Sequence, residues 1–125
     1  MRKTTAATMA AIFSVGSVGL GLMAAPAAQA ADCSVHISDR RLWCGNDAPV
    51  VTRYSALNDA PVSGQLQTSY SWFDCWVTGQ RHSGGNTTWY HTTPDWGDPG
   101  YVAAAYVHTP SSFDADPSVY GLRHC

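Results

Sequence analysis

Cysteine, histidine, aspartate and serine are the residue types in this chain that could carry chemistry, and their spacing limits what that chemistry can be. Nucleophilic catalysis needs a serine or cysteine beside a base that a third group orients. The five histidines, His36, His82, His91, His108 and His124, are dispersed, and no serine lies in a nucleophile-elbow pattern. Their neighbours are polar, which reads as surface or turn positions, so no catalytic residue and no enzymatic activity are expected. His91 and Asp95 stand four apart, a spacing that suits a metal on a helix. The segment reads instead as strand and turn with Pro94 in between, so the two share no face. No metal and no other cofactor are expected. All nine acids are aspartates. Glycoside hydrolysis needs two carboxylates held across a cleft, and no pair stands out.

The cysteines carry the clearest signal. Cys33, Cys44, Cys75 and Cys125 form no Cys-x-x-Cys pair, and an even count in an exported chain reads as two disulfides. The favoured pairing is Cys33–Cys44, which closes a hairpin-sized loop, with Cys75–Cys125, which ties down the C-terminal tail. The rival, Cys33–Cys125 with Cys44–Cys75, stays open on sequence alone. Export is read from residues 1–30. Arg2 and Lys3 give a positive start, Ala10 to Met23 is apolar and uncharged, and Ala28-Gln29-Ala30 is a small-x-small cleavage site. The product is expected to begin at Ala31, secreted or associated with the cell wall, with no membrane anchor. Residues 31–125 carry five arginines against nine aspartates, which disfavours nucleic acid and anionic membranes as partners. They contain no Lys, Glu or Met. That removes good helix formers and leaves a composition suited to strands and turns.

The elements that must position these residues are short. Residues 31–48 form an N-terminal disulfide segment. "APVVTRY" reads as a strand, and "SALNDAPVSG" as a loop broken by Asn58-Asp59 and Pro61. In "GQLQTSYSWFDCWVTG", Phe73, Cys75 and Val77 fall on one face, with Trp72, Asp74 and Trp76 on the other. "QRHSGGNTT" is a glycine-rich turn; its Asn86-Thr87-Thr88 sequon reads as accidental in a chain whose leader looks bacterial. "TWYHTT" and "GYVAAAYVHT" are further strands, separated by the turn "PDWGDPG". Five or six short strands with turns at roughly ten-residue spacing predict an all-β domain, a small barrel or sandwich. Residues 110–125 read as an ordered tail, since Cys125 needs a partner.

"WYHTTPDWGDPGYVAAAYV" resembles the end of an SH3-type barrel: an aromatic pair, a turn, glycine-aromatic-valine, then a short helical turn ending in tyrosine. "CWVTGQRHSGGNTTWY" is similar to the bacterial SH3 (SH3b) subgroup of small secreted proteins, and "VVTRYSALNDAPVSGQL" to its first loop. The resemblance covers residues 49–109. It implies a five-stranded, strongly bent SH3-like barrel, extended at both ends by disulfide-linked segments and presenting an aromatic groove. Trp89 and Tyr106 match the groove aromatics, with Tyr54 as a third wall. Ala103 stands where the eukaryotic family carries proline, which argues against PxxP ligands. Relatives are similar to cell-wall targeting modules. The expected function is therefore a monomeric, non-catalytic binding module whose partner is peptidoglycan, a cell-wall peptide or an extracellular protein. By the same reading Tyr90, Tyr101 and Val102 fill the core while Trp89 and Tyr106 lie outside. The alternative comes from another class. A Cys33–Cys44 loop would enclose Arg40-Arg41, and a rigid loop displaying arginine suits the pocket of a trypsin-like protease.

Overall fold

The computed structural model describes residues 33–125. The expected signal peptide and the start at Ala31 lie outside the described residues. In chain order the strands are β1 (Cys33–Val35), β2 (Leu42–Gly45), β3 (Val50–Arg53), β4 (Val62–Leu66) and β5 (Tyr70–Phe73). They continue as β6 (Cys75–Thr78), β7 (Thr88–Thr92), β8 (Trp96–Gly97) and β9 (Gly100–Ala103). A 3-10 turn (Ala104–Tyr106), the one-turn helix α1 (Ser111–Ala115) and a second 3-10 turn (Pro117–Tyr120) complete the domain. All strand pairs are antiparallel, in a three-stranded sheet ordered β1-β2-β5 and a six-stranded sheet ordered β8-β4-β3-β9-β7-β6.

One run of sequence joins the two sheets. Tyr70–Phe73 pairs with β2, and after Asp74 the chain continues as β6 and pairs with β7. Phe73 and Cys75 are both buried, but the run does not keep the expected faces: at Asp74 the alternation shifts, so that Phe73 and half-buried Trp76, the register partner of Tyr90, pack on the core, while Cys75 and Val77 partner His91 and Trp89 on the other side. Trp72 and Trp76 are both covered. The Arg41 guanidinium lies 3.9 Å from the Trp72 ring centre, and Trp76 donates to Ser118 Oγ at 3.0 Å and packs edge-on against His124. At β8 the chain lies so close to β4 that a side chain on Gly64 would run into the Trp96 carbonyl and the Pro94 ring. Gly97 there takes a left-handed φ of 93°.

The all-β class holds, and both disulfides are those of the favoured pairing, Cys33–Cys44 and Cys75–Cys125. The barrel does not hold. The outer strands β8 and β6 remain unpaired with each other, so the six-stranded sheet stays open. The tail occupies the place that closure would need. Along the outer edge of β6, Trp76 N–H donates to the Arg123 carbonyl, and Cys125 N–H donates to the Trp76 carbonyl at 2.9 Å. An exposed edge is a template for unwanted pairing, and this one is consumed internally.

The core draws on every segment. Leu42, Cys44 and Phe73 from the small sheet meet Leu66, Tyr90 and Val102 from the large one, and Phe113 and Leu122 from the tail close it. Each such side chain contributes about 1.5–3 kcal/mol by leaving water. Residues 33–48 and 110–125 are therefore parts of one core rather than attachments to a self-sufficient middle. Among the described residues no helix is long and apolar enough to cross a membrane. Two disulfides fit an oxidising compartment.

Candidate functional site

Strand register builds the outer face of the six-stranded sheet. Tyr101 pairs with Arg53 on one side and His91 on the other, which sets Arg53, Tyr101 and His91 in one row across β3, β9 and β7. The next row holds Ala103, Trp89 and Val77. Val102 and Tyr90, one residue along, point the opposite way and are fully buried at 1 % and 0 % exposure. Tyr101 is therefore a half-buried surface residue. The expectation that Tyr101 and Val102 both fill the core is corrected by the same alternation that placed Trp89 and Tyr90 on opposite faces.

Trp89 faces outward as expected, but it is not exposed. The loop that links β6 to β7 folds back over it, and its exposure falls to 2 %. The indole N–H donates to the Gln80 carbonyl at 2.8 Å, and the His82 ring meets the indole edge-on at 5.8 Å. Gly79 makes this possible, since a side chain there would collide with Ala56 and the Trp89 ring. His82 is held at both nitrogens: Gly84 N–H donates to Nδ1 at 3.1 Å, and Nε2 reaches the Thr88 carbonyl at 2.8 Å. Nδ1 is thus the acceptor and Nε2 carries the proton, which leaves neither nitrogen for a reacting group.

Between this covered indole and the first loop lies a cavity of about 520 Å³. Trp89 forms part of its floor, Tyr101 and the 43 % exposed Tyr106 supply aromatic walls, and Arg53, Arg81 and Asn58 supply donors. No aspartate lines it. Arg53 is anchored by a 2.7 Å bond to the Ala60 carbonyl. The structure thus brings Trp89 and Tyr106 to one site but leaves Tyr54 out of it. Tyr54 is 52 % exposed and donates instead to the Asp98 carboxylate. Sequence reasoning missed Arg53 and Arg81. The alternation that sets Arg53 apart from buried Thr52 was a usable signal; the approach of Arg81, on a distant loop, was not.

The Cys33–Cys44 disulfide closes the Arg40-Arg41 loop, but the loop does not display two arginines. Arg41 is stacked on Trp72. Arg40 is exposed with a left-handed φ of 59°, and its N–H bonds to the His36 carbonyl at 2.7 Å. A protease cleft accepts extended backbone, which a left-handed residue does not offer.

Asp74, Cys75 and His91 form a third group, and their ligating atoms all lie within 4.8 Å of one another. Cys75 and His91 are register partners on β6 and β7, a relation that local spacing does not reveal. The Cys75 sulfur is committed to Cys125. His91 Nδ1 bonds Asp74 Oδ1 at 2.8 Å, and the ring sits edge-on to Tyr101 at 5.0 Å. Asp95, the partner that sequence spacing suggested for His91, caps the turn after β4 instead through Gln67 and Thr68 N–H. Burial pushes the Asp74 carboxyl up, but the hydrogen bond and charge of His91, with a smaller contribution from Arg123, outweigh it and hold the carboxyl below its ordinary value. A lowered folded-state value stabilises above the unfolded value and is lost as pH falls through the folded one. Asp74→Asn is therefore expected to melt lower than the native protein at neutral pH, with the gap closing on acidification. Melting curves across the acid range check this; a gap that widens toward low pH would contradict it.

Compared with protein-family models, curated proteins and solved structures, the chain finds no match.

Proposed function

We propose that this protein is an exported, non-catalytic binding module that takes a carboxylate-bearing peptide in the cavity between Trp89, Tyr101 and Tyr106. Cell-wall peptides and the ends of extracellular proteins are ligands of this kind. The observation that carries the reading is the composition of the cavity wall. Two arginines and three aromatic rings line it with no carboxylate, in a chain whose expected secreted part has nine aspartates to five arginines. Arginine recognises a carboxylate through paired N–H donors, and aromatic walls exclude the water that would weaken those bonds. Tyrosine and tryptophan add large apolar area with few rotamers to freeze. The motifs of residues 49–109 that resemble the bacterial SH3 subgroup point to the same class of function. The cavity is also a better candidate than the Arg40-Arg41 loop, whose left-handed turn does not match an extended protease substrate.

Two measurements test the reading. The first is pelleting with purified peptidoglycan. The second is titration with a short peptide carrying a free C-terminal carboxylate, beside the same peptide as its amide. Arg81→Ala and Tyr106→Ala change exposed residues and are expected to fold. Each is expected to weaken binding by about 2 kcal/mol, roughly thirtyfold, if it is a hot spot. Equal affinity for acid and amide would remove the arginine-carboxylate element. Unchanged binding by both variants would remove the cavity as the site.

A further inference from the structure

The loop between β3 and β4 fastens two cations to one cavity. Arg53, at the end of β3, is held by the Ala60 carbonyl, which accepts from its guanidinium at 2.7 Å. Arg81 sits on the β6–β7 loop, and the β3–β4 loop grips that segment at three points. The Ala56 carbonyl accepts from Gln80 N–H at 2.9 Å, Asn58 N–H donates to Gln80 Oε1 at 2.8 Å, and Asn58 Nδ2 donates to the Arg81 carbonyl at 2.9 Å. Ala56, Asn58 and Ala60 thus secure Arg53 and Arg81 at the wall of the same cavity of about 520 Å³.

Neither arginine is neutralised by the protein. Among the described residues the ion pairs involve His91, His108 and Arg123, and no aspartate lines the cavity. Two like charges held in one concavity repel, and low-dielectric aromatic walls reduce the screening between them. A ligand with a single carboxylate neutralises one guanidinium and leaves the other without a partner. Two carboxylates a few bonds apart satisfy both. The cavity lies within the range of small-ligand pockets, about 300–1,000 Å³, so both acids have to come from the very end of a chain. His82 also lines the cavity but adds no third contact, because its ring nitrogens are held by Gly84 and Thr88.

Resting on the reading that the cavity takes a carboxylate-bearing peptide, we infer that it selects a chain end with two carboxylates: the terminal α-carboxylate and the side chain of an acidic last residue. Each guanidinium takes one of them through paired N–H donors. The inference adds a specificity that a single arginine-carboxylate contact does not have, since it rejects chains that end in a neutral residue.

The test is calorimetric titration of the whole protein with four acetylated tetrapeptides that differ only at the end: Ala-Ala-Ala-Glu and Ala-Ala-Ala-Gln, each as free acid and as α-amide. The matching Asp and Asn peptides are run beside them. Glutamate and glutamine have the same shape, so the comparison isolates the charge. The acid ending in Glu or Asp is expected to bind at least about tenfold more tightly than either peptide lacking one carboxylate, and the peptide lacking both is expected to bind weakest. Arg81→Gln changes an exposed residue; it is expected to abolish the penalty for removing one of the two carboxylates and to keep the penalty for the other. Arg53→Gln is expected to show the converse, and Arg81→Gln decides alone should Arg53→Gln fold poorly. Equal affinity of the acidic-ended and neutral-ended free acids, with their amides weaker, overturns the second carboxylate and leaves the single-carboxylate reading of the cavity standing. Equal affinity of all the peptides, or binding of none, removes that reading and this inference with it. Loss of both penalties in Arg81→Gln, or of neither, overturns the pairing of one arginine with each carboxylate. Displacement of the peptide by equimolar inorganic phosphate also overturns the inference, by showing that the site reads one compact dianion.

Discussion

Replacing Trp89 with alanine is expected to destabilise the domain by about 3–5 kcal/mol, as truncation of a buried aromatic does elsewhere. The ring is 2 % exposed, packed against Gly79 and His82, and hydrogen-bonded to the Gln80 carbonyl at 2.8 Å. Its removal empties the space beneath the β6–β7 loop and strands that carbonyl. The loop carries Arg81, so binding in the cavity should fall together with stability. Tyr101→Ala is expected to cost less, because that ring is half-buried on the outer face. Urea denaturation of both variants, with a binding titration on each, makes the comparison. A larger stability loss for Tyr101→Ala would mean that Tyr101, rather than Trp89, is the ring that the domain buries. A Trp89→Ala variant of native stability would mean that the loop does not depend on the indole.

This ordering reverses what residues 86–109 suggest by themselves, and the reason is physical. Alternation along a strand says that Trp89 and Tyr90 part company; it does not say what lies beyond each face. The cover over Trp89 comes from residues 79–83, on the preceding loop, and depends on a glycine at position 79 rather than on any hydrophobic signal. What was legible was local. The hairpin-sized spacing favoured Cys33–Cys44, and a C-terminal cysteine in need of a partner favoured Cys75–Cys125. What was not legible depended on register between distant segments. Asp74 and His91 are 17 residues apart and meet only because β6 pairs with β7. The small sheet was hidden because residues 31–48 read as an appendage, whereas β2 pairs directly with β5.

Openness of the large sheet follows from the same long-range pairings. The sequence between Tyr70 and Thr78 can complete a barrel only if it serves a single sheet. Here its first half belongs to β2 and its second half to β7, and the free side of β6 is taken by Arg123 and Cys125. The Cys75–Cys125 bridge then holds the tail where its backbone already pairs, so the covalent link and the hydrogen bonds restrain the same few residues. Two separate outer faces result, one bearing the arginine-lined cavity and the other belonging to the small sheet.

Asp114→Ala is expected to cost about 3 kcal/mol, the sum of bonds lost by buried donors. This one carboxylate gathers three segments. Oδ1 accepts from the Tyr90 and Thr109 hydroxyls, each at 2.6 Å, and Oδ2 accepts from Asn86 at 3.3 Å. Tyr90 is fully buried, so its hydroxyl has no water to turn to once the acceptor is gone. Burial, followed by the nearby Asp114 charge, holds the Tyr90 hydroxyl protonated far above the ordinary tyrosine range, and it acts only as a donor. Asp114 itself is raised. Burial pushes its carboxyl up, and the bonds from Thr109, Tyr90 and Asn86 offset this only in part. A raised folded-state value gives stability that is fully present below the unfolded value and is lost as pH rises through the folded one. Asp114→Asn keeps an acceptor for Tyr90 without the ionisation, so its deficit against the native protein should be largest in acid and shrink as pH rises. Asp74→Asn behaves in the opposite sense, which separates the two aspartates in one set of melts. Tyr90→Phe, which removes the donor alone, should lose less than Asp114→Ala. Chemical denaturation across the acid range measures all three. A deficit for Asp114→Asn that grows with pH would show that the folded domain favours the charged carboxylate, and an Asp114→Ala variant of native stability would show that the tail is held by its apolar contacts and its disulfide alone.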